Sequence, residues 1–142
     1  MSQTPHEGLV MSDVFLKHAL TPQHLGMLPP PAHAGQARGT CGDSMELYLR
    51  VENEVVVAAR FMPHGCMHTT ACGSALTSLV WGSALEKAAG LGPEQVEAAL
   101  GGLPREHRHC AALAVAALRS ALRAHYQERQ SPWKKLYQHQ AD

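Results

Sequence analysis

Two strand-like stretches separated by a short turn constrain the fold of this 142-residue chain most strongly. Residues 45–51 alternate apolar and polar side chains, as a strand with one buried face does, and residues 55–62 are rich in β-branched and apolar side chains. The polar tripeptide at 52–54 is typical of a turn. The sequence therefore predicts an antiparallel hairpin, which places the outer ends of its two strands side by side.

The residues on either side of the hairpin predict mainly helices. A short helix is expected over 12–20, with Ser12 or Asp13 as its N-cap and Val14, Leu16 and Leu20 partly buried. After the hairpin, apolar residues recur every three or four positions, which predicts helices over residues 67–81, 84–89, 93–100 and about 106–127. Their apolar stripes contain Cys72, Ala75, Leu76 and Leu79 in the first of these helices, and Ala111, Val115, Leu118 and Leu122 in the last.

A Gly- and Pro-rich segment at residues 23–39, which includes the run Leu28-Pro29-Pro30-Pro31, predicts a mobile loop because no helix can persist there. We therefore expect one α+β domain over residues 1–142. It would consist of a small antiparallel sheet packed against several helices, the last of them long. Its core would span about residues 12–127, with flexible ends.

The overall composition excludes several classes of protein. Hydrophobic residues make up 45% of the chain and charged residues 17%, which supports a packed core and argues against disorder. The formal net charge is zero, so nothing in the charge predicts binding to nucleic acid or to an anionic membrane. No apolar run approaches the ~18–20 residues that span a bilayer, and residues 1–10 do not resemble a signal peptide. We expect a cytoplasmic protein, in which disulfides are rare.

Three cysteines have distinctive neighbours. Cys41 lies in the sequence Gly-Thr-Cys-Gly-Asp just before the hairpin, Cys66 follows Gly65 just after it, and Cys110 follows a histidine at the start of the last helix. The hairpin alone would bring Cys41 and Cys66 together. A helix N-terminus lowers the pKa of a thiol, so we expect both Cys66 and Cys110 to ionise readily. The candidate ligands of a thiophilic metal or cluster are Cys41, Asp43, Cys66, His109 and Cys110.

Other side chains compete for these roles. Cys72 points about 240° around the helix from Cys66, so we expect it to lie in the core rather than in the site. Asp43 could be an ordinary turn carboxylate. His109 is the preferred imidazole because it adjoins Cys110, but three further histidines are close enough in sequence to replace it: His64, His68 and His107. The fourth ligand therefore stays open between His109 and Asp43.

The order of these motifs resembles that of the IscU/NifU N-terminal scaffold family. The resemblance rests on Cys41-Gly42-Asp43, on Ala58-Ala59-Arg60-Phe61 ahead of Gly65-Cys66, and on Leu103-Pro104 ahead of His109-Cys110. It implies a domain with a three-stranded antiparallel sheet. It also implies a non-enzymatic scaffold that builds a [2Fe–2S] cluster from iron and from sulfur supplied by a cysteine desulfurase, and then passes the cluster to acceptor proteins. By matching position, Cys41, Cys66 and Cys110 would hold the cluster or accept sulfur, Asp43 would tune its lability, and His109 would be a candidate fourth ligand.

The chain also departs from that family. Met67 and His68 follow Gly-Cys where small residues are usual, and the run that an Hsp70-type chaperone recognises keeps only Leu103-Pro104, so the resemblance does not extend to that chaperone. A zinc-binding protein of the same fold that accepts and transfers sulfur is the main alternative, and zinc can also occupy such a site in a purified scaffold. A thiol-based sulfur transferase or Cys–His enzyme is a third hypothesis. A homodimer that shares one cluster stays open.

Overall fold

The computed structural model describes residues 12–40 and 42–130, without the side chain of Gln130. Among these described residues the helices are α1 to α5 and the strands are β1 to β3, and a 3-10 turn lies directly before the last helix. In chain order the elements are α1 (Asp13–Leu20), β1 (His33–Arg38), β2 (Ser44–Glu52), β3 (Val55–His64), α2 (Met67–Val80), α3 (Leu85–Ala89), α4 (Pro93–Ala99), the 3-10 turn (Arg105–His107) and α5 (Arg108–Gln130).

The predicted hairpin is confirmed as β2 and β3. The two strands pair antiparallel, with Ser44 opposite His64 at the open end and Glu52 opposite Val55 at the turn. The turn residues Asn53 and Glu54 have φ angles of 52° and 64°, the left-handed conformation that closes a tight hairpin. The strand order is β1-β2-β3, so the expected three-stranded antiparallel sheet is also confirmed.

The prediction of a loop throughout residues 23–39 is wrong, because β1 (His33–Arg38) lies within it and pairs antiparallel with β2. The sequence pattern does not indicate this strand, because His-Ala-Gly-Gln-Ala-Arg contains no large apolar residue. Close packing accounts for it instead: a Cβ at Gly35 would overlap the backbone of Ala121 and lie 2.7 Å from the carbonyl oxygen of Ala117 in α5. Only glycine allows the helix this near the strand.

The core lies between the sheet and the helices. Helix α5 packs against β1 and β2, α2 packs against β3 and α5, and α1 packs against α2. The buried side chains include the predicted stripe of α5, and the largest of them are Phe61, Met45, Leu47, Leu49 and Leu76. In the described part of the chain, no helix combines the length and the apolar character needed to cross a membrane.

The burial predicted for three helix residues, Val14, Leu20 and Leu79, is wrong. Val14 and Leu20 of α1 are 49% and 68% exposed, whereas Phe15 is buried, since the helix has only eight residues and turns one side chain fully onto α2. Ser12 caps the helix, and its side chain accepts a hydrogen bond from the backbone N–H of Phe15. Leu79 of α2 is 40% exposed, so it lies outside the buried face of that helix, whereas its neighbour Val80 is buried.

Candidate functional site

Three chain segments meet at one end of the sheet and form an open cleft of about 420 Å³. Asp43 directly precedes β2, Cys66 is the N-cap residue of α2, and His109 and Cys110 lie in the first turn of α5. The residues that line the cleft are Gly42, Asp43, His64, Gly65, Cys66, Glu106, His107 and His109. The hairpin register explains the meeting of the first two segments, because the pairing of Ser44 with His64 sets their flanking residues next to each other.

Short distances connect the predicted ligands. The Sγ atom of Cys110 lies 3.7 Å from Nε2 of His109, and the same nitrogen lies 3.8 Å from Oδ2 of Asp43. Asp43, His109 and Cys110 each offer a ligand atom within 4.8 Å of the other two. The structure therefore brings a carboxylate, an imidazole and a thiol into the geometry of a potential metal site.

Cys41 lies outside the described residues, so its predicted position beside Cys66 stays a prediction. Its sequence neighbour Gly42 lines the cleft and has a φ angle of 89°. The turn around it is closed by a hydrogen bond of 2.7 Å from the backbone N–H of Gly39 to the carbonyl oxygen of Asp43. The β1–β2 connection therefore reaches the cleft at Gly42.

Asp43 is buried although its carboxylate is incompletely bonded. One oxygen accepts a hydrogen bond of 3.4 Å from the Thr69 hydroxyl, but Oδ1 has no hydrogen-bond partner among the described residues. A buried carboxylate oxygen without a partner is unfavourable. A cation held by the neighbouring His109 and Cys110 would satisfy it, so the donor set fits a bound metal.

The NifU-like N-terminal domain family matches residues 10–132, which is most of the chain. The chain belongs to this family. The nitrogen fixation protein NifU of Cereibacter sphaeroides is 47% identical over 100 residues, which are 67% of this chain and 41% of that protein. The iron-sulfur cluster assembly scaffold protein IscU 1 of Archaeoglobus fulgidus is 32% identical over 112 residues, which are 78% of this chain and 73% of that protein. The chain thus spans about two fifths of the NifU protein and most of the IscU protein.

Solved structures share the fold. A protein of the iron-sulfur SUF system from Fervidobacterium islandicum superimposes with a TM-score of 0.65 at 17% identity, over 84% of this chain and 99% of that one. The NifU-like N-terminal protein of Brucella abortus gives a TM-score of 0.60 at 16% identity, over 84% of this chain and 94% of that one. At such low identity these likenesses show the fold alone.

In this NifU-like domain the two described cysteines of the cleft differ in ionisation. Burial raises the pKa of the Cys66 thiol, but hydrogen bonds from the backbone N–H groups of Thr69 and His68 outweigh burial, so the net pKa is lowered. For Cys110 burial dominates and raises the pKa to about 11. The prediction of a readily ionised Cys110 is therefore wrong, because its side chain is fully buried despite its place in the first turn of α5. Cys66 is exposed, as an entry point for a reactant would be.

Thr69 is the site residue that the sequence analysis missed. Its buried hydroxyl lies 3.9 Å from the sulfur of Cys66 and 3.7 Å from that of Cys110, besides its bond to Asp43. Its position in the sequence could have indicated this role, because Thr69 is the third residue after Cys66, the N-cap of α2, and a residue at that position lies close to the cap. Cys72, by contrast, is confirmed as a core residue with no exposed surface, and burial strongly raises the pKa of its thiol.

A second imidazole pair adjoins the cleft. His107 lies in the 3-10 turn and stacks on His68 of α2, with ring centroids 3.6 Å apart and planes 2° from parallel. Burial, and next the neighbouring His107, lower the pKa of His68. His64 lies apart from this pair, at the end of β3, where its Nε2 is 3.4 Å from a carboxylate oxygen of Glu46.

Proposed function

We propose that this NifU-like domain is a scaffold on which [2Fe–2S] clusters are built before transfer to acceptor proteins. The observation that carries the proposal is that Asp43, Cys66 and His109, from three separate segments, line one open cleft, with the buried Cys110 next to His109. The naming of the Archaeoglobus relative as a cluster assembly scaffold supports the same function. A carrier role requires no catalytic turnover of a small substrate.

The ligand set suits a cluster that must leave again. Thiolates bind cluster iron strongly, so Cys41, Cys66 and Cys110 would be the three strong ligands of the cluster. Asp43 and His109, which lie 3.8 Å apart across the cleft, are the two candidates for the remaining position. An oxygen or nitrogen ligand holds cluster iron less strongly than a thiolate does, and it would leave one iron open to exchange.

Cys66 is the thiol best suited, among those described, to receive sulfur from a cysteine desulfurase. It is exposed and its pKa is lowered, whereas Cys110 is buried with its pKa raised. The Cys66 thiolate would attack the outer sulfur of a persulfide on the desulfurase. The Cys66 persulfide then forms and the desulfurase cysteine leaves as a thiolate.

Reconstitution with purified components tests the scaffold function. Under anaerobic conditions the protein is supplied with iron(II), L-cysteine and a cysteine desulfurase, and iron, acid-labile sulfide, zinc and the visible spectrum are measured. We expect stoichiometric labile sulfide that is lost in Cys41→Ser, Cys66→Ser and Cys110→Ser. Cys72→Ala is the matched control, because it removes a core thiol from the helix that begins at Cys66, and it should retain the cluster.

The same measurement separates the zinc alternative. Tightly bound zinc, together with no labile sulfide under any condition, would contradict the scaffold proposal and favour a zinc protein that accepts sulfur. Loss of the cluster in Cys72→Ala to the same degree as in Cys66→Ser would also contradict the assigned site. Transfer of the cluster to a [2Fe–2S] acceptor in its apo form then tests the carrier step.

A further inference from the structure

His125 is buried in α5, yet neither of its ring nitrogens has a hydrogen-bond partner among the described residues. A neutral imidazole carries one N–H donor and one acceptor, and leaving either of them unpaired in the interior is unfavourable. Two such atoms on one buried ring call for a bound water molecule or an ion. His125 lies fifteen residues after Cys110 in the same helix, about 22 Å along its axis, so it is remote from the cysteine cleft.

The packing of β1 on α5 brings two further ligand side chains to His125. Gly35 of β1 lies against Ala121, and His33 and His125 follow toward the same end of the sheet. Two residues along a strand and one turn of a helix cover similar distances, about 6.6 and 5.4 Å. The rings of His33 and His125 accordingly have centroids 5.0 Å apart, at an interplanar angle of 77°. Glu128, on the same side of α5 as His125, places Oε1 3.2 Å from Nε2 of His33.

These separations match those of ligands on one tetrahedral metal ion. With metal–ligand bonds of about 2.0–2.2 Å, a carboxylate oxygen and an imidazole nitrogen on the same ion lie roughly 3.3 Å apart, and two imidazole rings have centroids about 5 Å apart. The contact between Glu128 and His33 and the ring pair of His33 and His125 have these values. The ligand atoms of all three side chains do not yet lie within 4.8 Å of one another, as those of the cleft do. The His125 ring must therefore turn about χ2 to aim a nitrogen at the other two ligands.

The surroundings of the three side chains leave room for a cation. His33 and Glu128 line an open cavity of about 330 Å³. Two nearby arginines are already engaged: Arg50 donates hydrogen bonds to backbone carbonyl oxygens, and Arg129 is paired with Glu54 at 2.9 Å. A cation can therefore reach His33 and Glu128 from solvent without displacing a guanidinium group from them.

We propose that His33, His125 and Glu128 form a binding site for one Zn²⁺ ion that joins β1 to α5. Two imidazoles and one carboxylate are donors that zinc takes together, with the fourth position left for water. Here the fourth position faces the cavity that His33 and Glu128 line. This site goes beyond the proposed scaffold function and does not depend on it, because it shares no ligand with the cysteine cleft.

Titration of the ¹⁵N-labelled full chain with Zn²⁺ tests the site by long-range ¹H–¹⁵N NMR, in which each imidazole nitrogen gives its own signal. The nitrogen that binds zinc shifts, so the histidines of the cleft report any zinc bound there separately. We expect the signals of His33 and His125 to shift together and to saturate with one equivalent of zinc beyond any that the cleft takes up.

Three variants separate the ligands from their surroundings. His125→Leu replaces the ligand and its unpartnered nitrogens by an apolar group, so it should fold and should abolish the zinc response of His33. Glu128→Gln should weaken zinc binding at His33 and His125 at least about tenfold. Glu46→Gln is the matched control, because it removes the carboxylate from a comparable contact, of 3.4 Å to His64, outside the proposed site. It should bind zinc at His33 and His125 as the wild type does.

Far-UV circular dichroism and thermal unfolding establish that each variant is folded, and His33→Ala, at the half-buried start of β1, serves as a second variant if His125→Leu does not fold. An unchanged zinc response of the remaining histidine in the folded variant would overturn the proposal. No response of His125 in the wild type at a large excess of zinc would overturn it too, and would leave water as the partner of its ring nitrogens. None of these signals measures labile sulfide or requires a cysteine, so a failure here is distinguishable from a failure of the scaffold function.

Discussion

The Thr69 hydroxyl lies 3.7 Å from the sulfur of Cys110 and joins the two described thiols of the cleft through one buried oxygen. The same hydroxyl is 3.9 Å from the sulfur of Cys66 and donates a hydrogen bond to Asp43. When its single proton points to a thiolate sulfur instead of to Asp43, the hydroxyl favours the thiolate form of that cysteine and so acts against burial. Thr69 therefore supports the ligands without being one of them.

Replacing Thr69 by valine should raise the pKa of the Cys66 thiol and slow its reaction with iodoacetamide near neutral pH. Valine has nearly the same shape, so the loss of the buried hydrogen bond should cost only about 1 kcal/mol of unfolding free energy. The rate of alkylation as a function of pH, followed by peptide mass spectrometry, gives the pKa directly.

Thr77→Val is the matched control for that substitution. Thr77 is also fully buried in α2, but its hydroxyl donates to the carbonyl oxygen of Gly73 rather than contacting a thiol of the cleft. We expect a comparable loss of stability with no change in the pKa of Cys66. Equal alkylation profiles for Thr69→Val and the wild type would show that the hydroxyl does not tune the thiol.

The pKa shifts also predict the order in which the described thiols of the metal-free protein react. The pKa of Cys66 is lowered, so its thiolate persists as the pH falls below the ordinary thiol range, whereas Cys110, with a pKa of about 11, stays protonated until strongly alkaline pH. At pH 8 we expect iodoacetamide to label Cys66 first and to leave Cys110 and the core residue Cys72 unlabelled. Labelling of Cys110 as fast as Cys66 in the folded protein would refute the assigned burial.

Local patterns predicted the hairpin and the helices well, because each depends on the spacing of apolar residues along a single segment. The strands predicted at residues 45–51 and 55–62 lie within β2 and β3, and α2 begins at Met67 as predicted. Strand β1 was missed because it contains no large apolar residue, and its place is fixed by contact of Gly35 with a helix more than 80 residues away in sequence. Such a contact leaves no periodic signal.

The candidate ligands were likewise recognisable from their neighbours, but their electrostatics were not. The helix-terminus argument gave the right direction for the pKa of Cys66 and the wrong one for Cys110. The two differ in burial, which depends on how α5 packs and cannot be read from the residues around Cys110. The stacking of His107 on His68 also joins separate segments, so the sequence could name these histidines only as competitors of His109.

Gly35→Ala should destabilise the fold severely, because the new Cβ would collide with the backbone of Ala117 and Ala121 and push α5 away from the sheet. Overpacking typically costs ~1–3 kcal/mol, and a collision with backbone belongs at the upper end of that range. Urea unfolding followed by circular dichroism measures the change. Gly90→Ala is the control: Gly90 has a φ angle of −92° and its added Cβ would make only ordinary contacts, at 3.7 Å or more. Similar midpoints for both variants would contradict the close strand–helix packing.

Gly65→Ala should weaken the site more than the fold. A Cβ on Gly65 would lie 2.7 Å from the Thr69 hydroxyl oxygen and 2.9 Å from Cβ of Asp43, so these side chains must move apart. We expect lower cluster occupancy after reconstitution, with a modest loss of unfolding free energy. Iron and labile sulfide per protein measure the occupancy, and Gly90→Ala again provides the control. Full occupancy in Gly65→Ala would mean that the positions of Thr69 and Asp43 are not critical.

Asp43→Ala should slow release of the cluster from the proposed scaffold. The Asp43 carboxylate lies among thiols that become anionic when they bind iron, and one of its oxygens has no hydrogen-bond partner among the described residues. Like charges about 4 Å apart repel by ~1 kcal/mol even at the dielectric constant of water, and burial does not weaken this repulsion, so we expect a change in rate of roughly fivefold or more. Asp43→Asn should slow release similarly, because it removes the charge but keeps the shape.

Glu106→Gln is the control for these variants. It removes an exposed carboxylate that lines the same cleft but is not one of the candidate ligands, so this variant should release the cluster at the wild-type rate. Transfer to an apo [2Fe–2S] acceptor, followed by visible circular dichroism from equally loaded variants, measures the rate. Release from Asp43→Ala at the wild-type rate would exclude the carboxylate as the group that makes the cluster labile.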